Sequence, residues 1–326
     1  MAEDVTIGST ARTNPAQLLQ AQAAMFGQRV VLVLRLILRT TSGRIALPIL
    51  LIHLILATVG VWIAPYSPTD FNYLDEAETQ INQFQGPSLS FLLGTDQFGR
   101  DVLSRIMAGA TSLIIVSVAG AVLGIALGTA VGMSSGYKGG KVDEIVMRIM
   151  DGLMSFPTLL MALLVMATLA ARPAPIELME PYWQKILIVF TIGIVNMPRV
   201  ARVVRSVALS LKTMEFVQSA RLRGEGALYV IFREMLPNTL PILGVEASVR
   251  LSYAILTVSS LGFLGLGIQP PSSDWGLMLA QSRQYLTQAP WAALAPAAAI
   301  ASLVVGVNLL TDGIRQASQL PSEREQ

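Results

Sequence analysis

EFVQSARLRGEGALYVIFREMLPN, residues 215–238, is a polar, Arg-rich helical stretch wedged between two apolar runs, and its reading organises the rest of the chain. Phe216, Ala220, Leu228, Ile231 and Phe232 stand among charges at spacings that predict two short amphipathic helices, broken near Gly224 and Gly226. The small residues Ser219, Ala220 and Gly224 allow close backbone approach, and Pro237 is placed to set the start of the next apolar run. A long polar connection between membrane spans needs a reason to be ordered. The plain alternative is an interfacial helix whose arginines face anionic headgroups.

Composition makes the membrane setting firm. Of 326 residues 53% are hydrophobic and 13% charged, with a mean hydropathy of +0.58, against roughly 25% charged in soluble domains. The absence of cysteine excludes disulfides, thiolate metal sites and cysteine catalysis. The single histidine, His53, lies inside an apolar run and cannot form a His-rich metal site alone; packing or an interfacial position is expected of it before a proton relay. The polar start of the chain lacks the ordered basic, apolar and small-residue regions of a cleavable signal peptide.

Six apolar stretches, near residues 45–65, 111–133, 145–171, 186–207, 239–267 and 291–312, approach the length of about 20 residues that a membrane helix needs. The tail to Arg44, the 134–148 and 199–238 loops and the C-terminal tail hold 17 Lys and Arg, whereas the 66–110, 172–185 and 268–290 segments hold 5. The positive-inside rule then puts both termini, and the 215–238 segment, in the cytoplasm. The expected fold is an all-α membrane protein with six transmembrane helices, N-in and C-in. Residues 1–44 form a cytoplasmic tail with an interfacial helix around Val30 to Leu38, interrupted by Arg35. A first span at 45–65 leads to an external loop, 66–110, acidic around Asp75, Glu76 and Glu78. A five-helix core, 111–314, carries the loop at 215–238, and 315–326 is a short cytoplasmic tail.

Within the core, Gly120, Gly124, Gly128 and Gly132 recur every four residues on one helix face, a stripe that lets another helix approach closely, in this subunit or at a seam with a second one. Glu246 and Arg250 are four apart in the fifth span and can pair on one face, either lining a pathway or neutralising each other structurally. Asp151, ahead of Phe156-Pro157, and Asp312, at the last turn of the sixth span, are expected to orient helices. Pro270-Pro271 fixes a turn in the external 265–285 segment, where Trp275 suits the aromatic belt.

The spacing Gln218-Ser219-Ala220, then Gly224, then Leu236-Pro237 resembles the EAA loop of ABC-importer permeases, with Gln218 and Ser219 where Glu and Ala are usual. Four more stretches resemble the dipeptide/oligopeptide/nickel permease family: LGTDQFGRDVLSRIMAGA from Leu93, GYKGGKVDEIVMRIMDGLMSFPTLL from Gly136, SLGFLGLGIQPPSSDWGLMLAQSRQYL from Ser260, and APWAALAPAAAIASLVVGVNLLTDGIR from Ala289. The resemblance runs from about residue 90 to Arg315 and is to the C-type permease of such systems. It implies a type I ABC-importer permease fold in the bacterial cytoplasmic membrane. It also implies a homologous second permease, two ATPase subunits (identical or paired) and an extracytoplasmic binding protein that the 265–285 segment could contact. Glu215, Ser219, Ala220, Arg221, Arg223, Gly224, Arg233 and Pro237 are then the residues that couple to an ATPase. No G-x-x-x-x-G-K-S/T loop occurs, so ATP and Mg²⁺ are expected on the partners, with no catalytic residue, metal or cofactor on this chain and no nucleic-acid partner. Di- or oligopeptides are the implied cargo, with nickel chelates, glutathione-like peptides, opines and oligosaccharides as the family's other options. Val258 stands where peptide-handling members often carry Glu. The competing reading is an ion-coupled secondary transporter using Glu246, Asp151 or His53, which would call for inverted repeats that the sequence does not display clearly.

Overall fold

The computed structural model describes residues 35–69, 83–169 and 173–319. Most of the N-terminal tail, the acidic part of the external loop and the last residues of the chain therefore lie outside the described residues. Of the expected interfacial helix, residues 35–38 are described and helical.

The regular structure among the described residues is helical. We number α1 Thr41–Ile63, α2 Val102–Lys138, α3 Gly140–Met154, α4 Thr158–Leu169, α5 Trp183–Leu211 and α6 Glu215–Leu222. They are followed by α7 Ala227–Phe263, α8 Trp275–Ser282 and α9 Pro290–Gln319. Side-chain caps fix several starts: Thr40 accepts from the Gly43 N–H, Asp101 from Ser104 and Asp274 from Leu277.

The glycine stripe joins α2 to α5. A Cβ at Gly120 would sit 2.7 Å from Ile192 Cβ, one at Gly124 2.9 Å from Asn196 Cβ, and one at Gly128 2.5 Å from Val200 Cβ. Gly132 meets Ala201 and Val204, and Gly136 meets Ala208. Both residue numbers rise together along this seam, so α2 and α5 run parallel. In lipid the gain from such contact is dispersion between backbones, not hydrophobic burial.

Parallel helices need a return between them, and α3 with α4 supplies it. Descending α5, Lys212 meets Lys138, Arg205 pairs with Asp143, Arg202 with Asp151, and Arg199 donates to Thr158. The partners rise in number as α5 falls, so α3 and α4 climb back along it. The single span expected at 145–171 is corrected here: two helices bent by 91° take its place. Pro157 is the cause, because it lacks an N–H and disfavours helical backbone in the residue before it. At 12 residues, α4 is about 18 Å long, short of the roughly 30 Å apolar core of a bilayer. Five of the described helices (α1, α2, α5, α7 and α9) are long and apolar enough to cross alone, and the count reaches six where the bent pair is taken as one span.

Gly60 of α1 lies against Met107 of α2, and Gly313 of α9 lies against Gly43 of α1. Both ends of the described chain thus lie at one end of the bundle, the end that also carries α6. Two other boundaries shift. Helix α7 begins at Ala227 and runs unbroken through Pro237, so that proline does not begin the span. A π-helical turn, Val230–Met235, widens the helix just ahead of it and makes room for a ring that would otherwise clash with a carbonyl one turn back. Helix α9 continues to Gln319, which leaves Asp312 well before its last turn.

Candidate coupling surface and pathway residues

Helix α6 ends in a complete Schellman motif. Gly224 has φ +82°, its N–H donates to the Arg221 carbonyl at 2.9 Å, and the Glu225 N–H reaches back to Ala220 at 3.2 Å. The break expected near Gly224 and Gly226 is therefore a defined reversal. Space around Gly224 is open: a Cβ there would meet nothing within 4 Å. Backbone conformation, not crowding inside this chain, demands the glycine. Arg223 then spans the break, lying 3.9 Å from Glu225 and 3.7 Å from Glu234 of α7.

One side of this helix pair is buried and the other is bare. Val217, Ala220, Val230, Ile231 and Met235 pack with Met133 of α2 and Val200, Val204 and Ala208 of α5. Ala220 is fully enclosed, so its small side chain serves the seating of α6 on its own bundle. Phe216, Leu222, Leu228 and Phe232 are exposed, Leu222 to 89% and Leu228 to 72%. Of the five apolar positions read from spacing, only Ala220 and Ile231 face inward. Val217, Val230 and Met235 do that work; Val217 stands three residues from Ala220 and Met235 four from Ile231, a signal present in the sequence, whereas Val230 is simply next to Ile231. Glu215, Ser219 and Arg221 on α6, Arg223 at its C-cap, and Arg233 and Pro237 on α7 are all exposed. Arg221 lies over the Tyr137 ring at 4.5 Å, which ties α6 to the end of α2.

Glu246 and Arg250 meet on α7 at 2.7 Å with side chains 13% and 11% exposed. The approach is off the hydrogen-bond axis and neither Glu246 Oε1 nor Arg250 Nε has another partner, so this is a charge contact with unspent polar capacity. Arg250 also lies 5.4 Å from the Tyr253 ring centroid. Tyr253 and Leu256 are exposed nearby on α7, whereas Val258 is in the core.

At the opposite end, Trp275 corrects its assignment to the aromatic belt. It is fully buried, donates from Nε1 to the Ile106 carbonyl at 2.9 Å and meets His53 edge-on at 5.9 Å. Gly109 makes the space, since a Cβ there would lie 2.9 Å from the indole. His53 is buried as well, with Nδ1 2.8 Å from the Ile49 carbonyl and Nε2 3.2 Å from that of Ala299. It binds α1 to α9. Asp274 caps α8 through one carboxylate oxygen while the other is buried without a partner; burial pushes its pKa up to about 6. A second buried knot holds the external loop: Asp96 takes Arg100 at 2.8 Å and Arg105 closely, and both arginines reach Gln281 of α8. Spacing did not flag this knot: Asp96, Arg100 and Arg105 stand close together in the chain, but Gln281, which completes it, is 181 and 176 residues from the two arginines. The secondary-transporter residues are not brought together: Glu246 pairs on α7, Asp151 with Arg202, and His53 sits between α1 and α9. Among the described residues no group of three His, Cys, Asp or Glu is placed to hold a metal ion.

Residues 124–319 match the family described as binding-protein-dependent transport system inner membrane component. The chain is similar to the di/tripeptide transport system permease protein DppC of Pseudomonas aeruginosa, 34% identical over 80% of this chain and 82% of that protein. It is 38% identical to the dipeptide transport system permease protein DppC of Alkalihalophilus pseudofirmus, over 82% of this chain and 84% of the relative. The glutathione transport system permease protein GsiD of Escherichia coli is 37% identical over 81% of each chain.

Proposed function

The chain belongs to the family of binding-protein-dependent transport system inner membrane components, and we propose that it forms half of the translocation pathway of an ATP-driven importer of short peptides. It is a multi-pass permease of the bacterial inner membrane. A homologous second permease completes the pathway, two ATPase subunits hold ATP and Mg²⁺, and an extracytoplasmic binding protein delivers cargo. This chain carries no catalytic group. The peptide cargo is taken from relatives whose names specify di/tripeptides, dipeptides and glutathione, itself a small peptide.

The observation that carries the coupling role is the bare apolar face of α6 and early α7, where Phe216, Leu222, Leu228 and Phe232 lie exposed at the end of the bundle that gathers the Lys- and Arg-rich segments. That end is the cytoplasmic one by the positive-inside rule, which makes the topology N-in and C-in. Closure of the ATPases would push α6, and the cap at Gly224 with the Arg223–Glu234 contact would pass the push into α7 as a rigid-body movement. Glu246 and Arg250, with exposed Tyr253, form the polar part of the pathway wall. Their mutual contact lowers the cost of charge at membrane depth, and their unspent polar capacity suits the charged ends of a peptide.

The test uses the complex that co-purifies with this chain, reconstituted in vesicles with its binding protein. ATP hydrolysis stimulated by peptides of graded length, and lost in Leu222→Asp and Leu228→Asp without loss of thermal stability, is the expected result. Turnover indifferent to every peptide would overturn the cargo assignment. Peptide uptake with no co-purifying ATPase would overturn the importer reading itself.

A further inference from the structure

One face of α7 is polar. Glu246, Arg250, Tyr253, Thr257 and Ser260 recur at steps of four and three residues, which places them on a single stripe. Tyr253 is exposed, and Thr257 and Ser260 are half-buried. The Thr257 and Ser260 hydroxyls donate to the Tyr253 and Leu256 carbonyls at 2.8 and 2.7 Å, which leaves their lone pairs able to accept. Phe263 borders the stripe at the end opposite α6. Arg283, from the 3₁₀ turn Arg283–Tyr285 that follows α8, lies over its ring at 5.5 Å. That turn is held on both sides: Arg100 and Arg105 reach Gln281 just ahead of it, and Tyr285 packs on Phe84 at 4.9 Å. Arg283 itself is exposed and pairs with no acid among the described residues. Asp96 and Asp274, the acids that hold α8 in place, are buried and face Arg100, Arg105 and the Leu277 N–H instead.

We propose that Arg283 receives the C-terminal carboxylate of the transported peptide at the outer end of the pathway, an assignment that rests on the peptide-importer reading above. A guanidinium presents a planar fork of N–H donors that matches a carboxylate. The Phe263 ring orients that fork without neutralising it, so the charge stays available to an incoming anion. The guanidinium is turned onto α7, the helix that carries Arg250, which favours cargo over a docked protein as its partner. The 13 residues from Arg250 to Phe263 span about 20 Å of helix. Three extended residues reach only about 10 Å, so a short peptide cannot hold both arginines at once. Arg283 is therefore a station of entry, and Arg250, already facing Glu246, comes after it. Ser260, Thr257 and Tyr253 lie between the two, with hydroxyl oxygens that accept from peptide N–H groups. Loss of Arg283 weakens capture and leaves the later steps intact.

The whole co-purified transporter, in vesicles and turning over ATP, is given its binding protein loaded with a tripeptide that carries a photoreactive diazirine on the C-terminal residue. The expected result is cross-linking within residues 260–264 and 280–286, about fivefold weaker in Arg283→Gln and largely kept in Arg283→Lys. In the same samples the concentration of loaded binding protein that gives half-maximal turnover should rise about fivefold in Arg283→Gln, with the maximal rate unchanged. Equal labelling of these residues by a tripeptide with the diazirine on its N-terminal residue would overturn the proposal, as would unchanged labelling in Arg283→Gln. Weaker association of Arg283→Gln with the empty binding protein would overturn it too, by assigning the residue to docking. Wild-type turnover that no peptide stimulates would remove the importer reading itself. An unchanged Gln variant in a complex that peptides do stimulate would remove the role of Arg283 alone.

Discussion

Replacing Gly224 separates two roles that a glycine in this loop can have. At φ +82° a residue with a Cβ is strained by about 1–2 kcal/mol. Nothing within 4 Å opposes the added carbon, so the cost is conformational and local. Escape by fraying gives up the two cap bonds from Gly224 and Glu225, at about 0.5–1.5 kcal/mol each. Either way Gly224→Ala shifts the local equilibrium by roughly 5- to 30-fold away from the seated α6. Gly224→Asn tolerates the left-handed conformation better and should retain most of the function. The assay is peptide-stimulated ATP hydrolysis by the reconstituted complex, paired with its thermal aggregation temperature. The expected order is Gly, then Asn, then Ala, with aggregation little changed. If a partner's backbone packs against Gly224, the larger Asn must be worse than Ala. That reversed order, or a wild-type Ala variant, would refute the conformational account.

Gly128→Leu should prevent stable assembly, since even a Cβ meets Val200 at 2.5 Å; overpacking costs about 1–3 kcal/mol or more, read as lost thermal stability in detergent. Gly152→Ala, a helical position with open space around it, should instead raise stability by up to about 1 kcal/mol in the same measurement. The Asp274 carboxyl has a folded pKa of about 6, above its ordinary 3.8, so the folded state favours its protonated form. That contribution is complete below pH 3.8 and is lost as pH rises through 6, by at most about 3 kcal/mol. Asp274→Asn keeps a capping oxygen for Leu277, and its thermal stability should exceed wild type above pH 6 and converge with it in acid.

Periodicity and breakers made much of this fold readable. The four-residue glycine repeat marks a helix face for close packing, and the Gly224–Gly226 pair marks a reversal between amphipathic helices. Partner choice was not readable, because a repeat says which face is smooth and not which helix lies on it. The run at 145–171 looked like one span since hydropathy averages over its charges. What lets Asp143 and Asp151 sit at its start is the arginine set on α5, Arg199, Arg202 and Arg205, whose spacing of three on one face was the missed signal. Trp275 was misplaced for a related reason. An aromatic next to a Pro-rich external turn suits an interface, and only the gap at Gly109 in a distant helix draws the indole inward. The exposed set on α6 and α7 was legible as apolar, but its direction depends on the π turn, which has no sequence signature of its own.

That π turn has a mechanical consequence. Because α7 does not stop at Pro237, one rod of 37 residues, about 55 Å long, joins the bare apolar surface to the buried packing of Gly262 against Asp274. A tilt of only ~5° about one end would carry the other by about 5 Å, the scale of a one-turn shift. The helix is a lever with its fulcrum wherever the bundle grips it hardest, and its two arms cannot move independently.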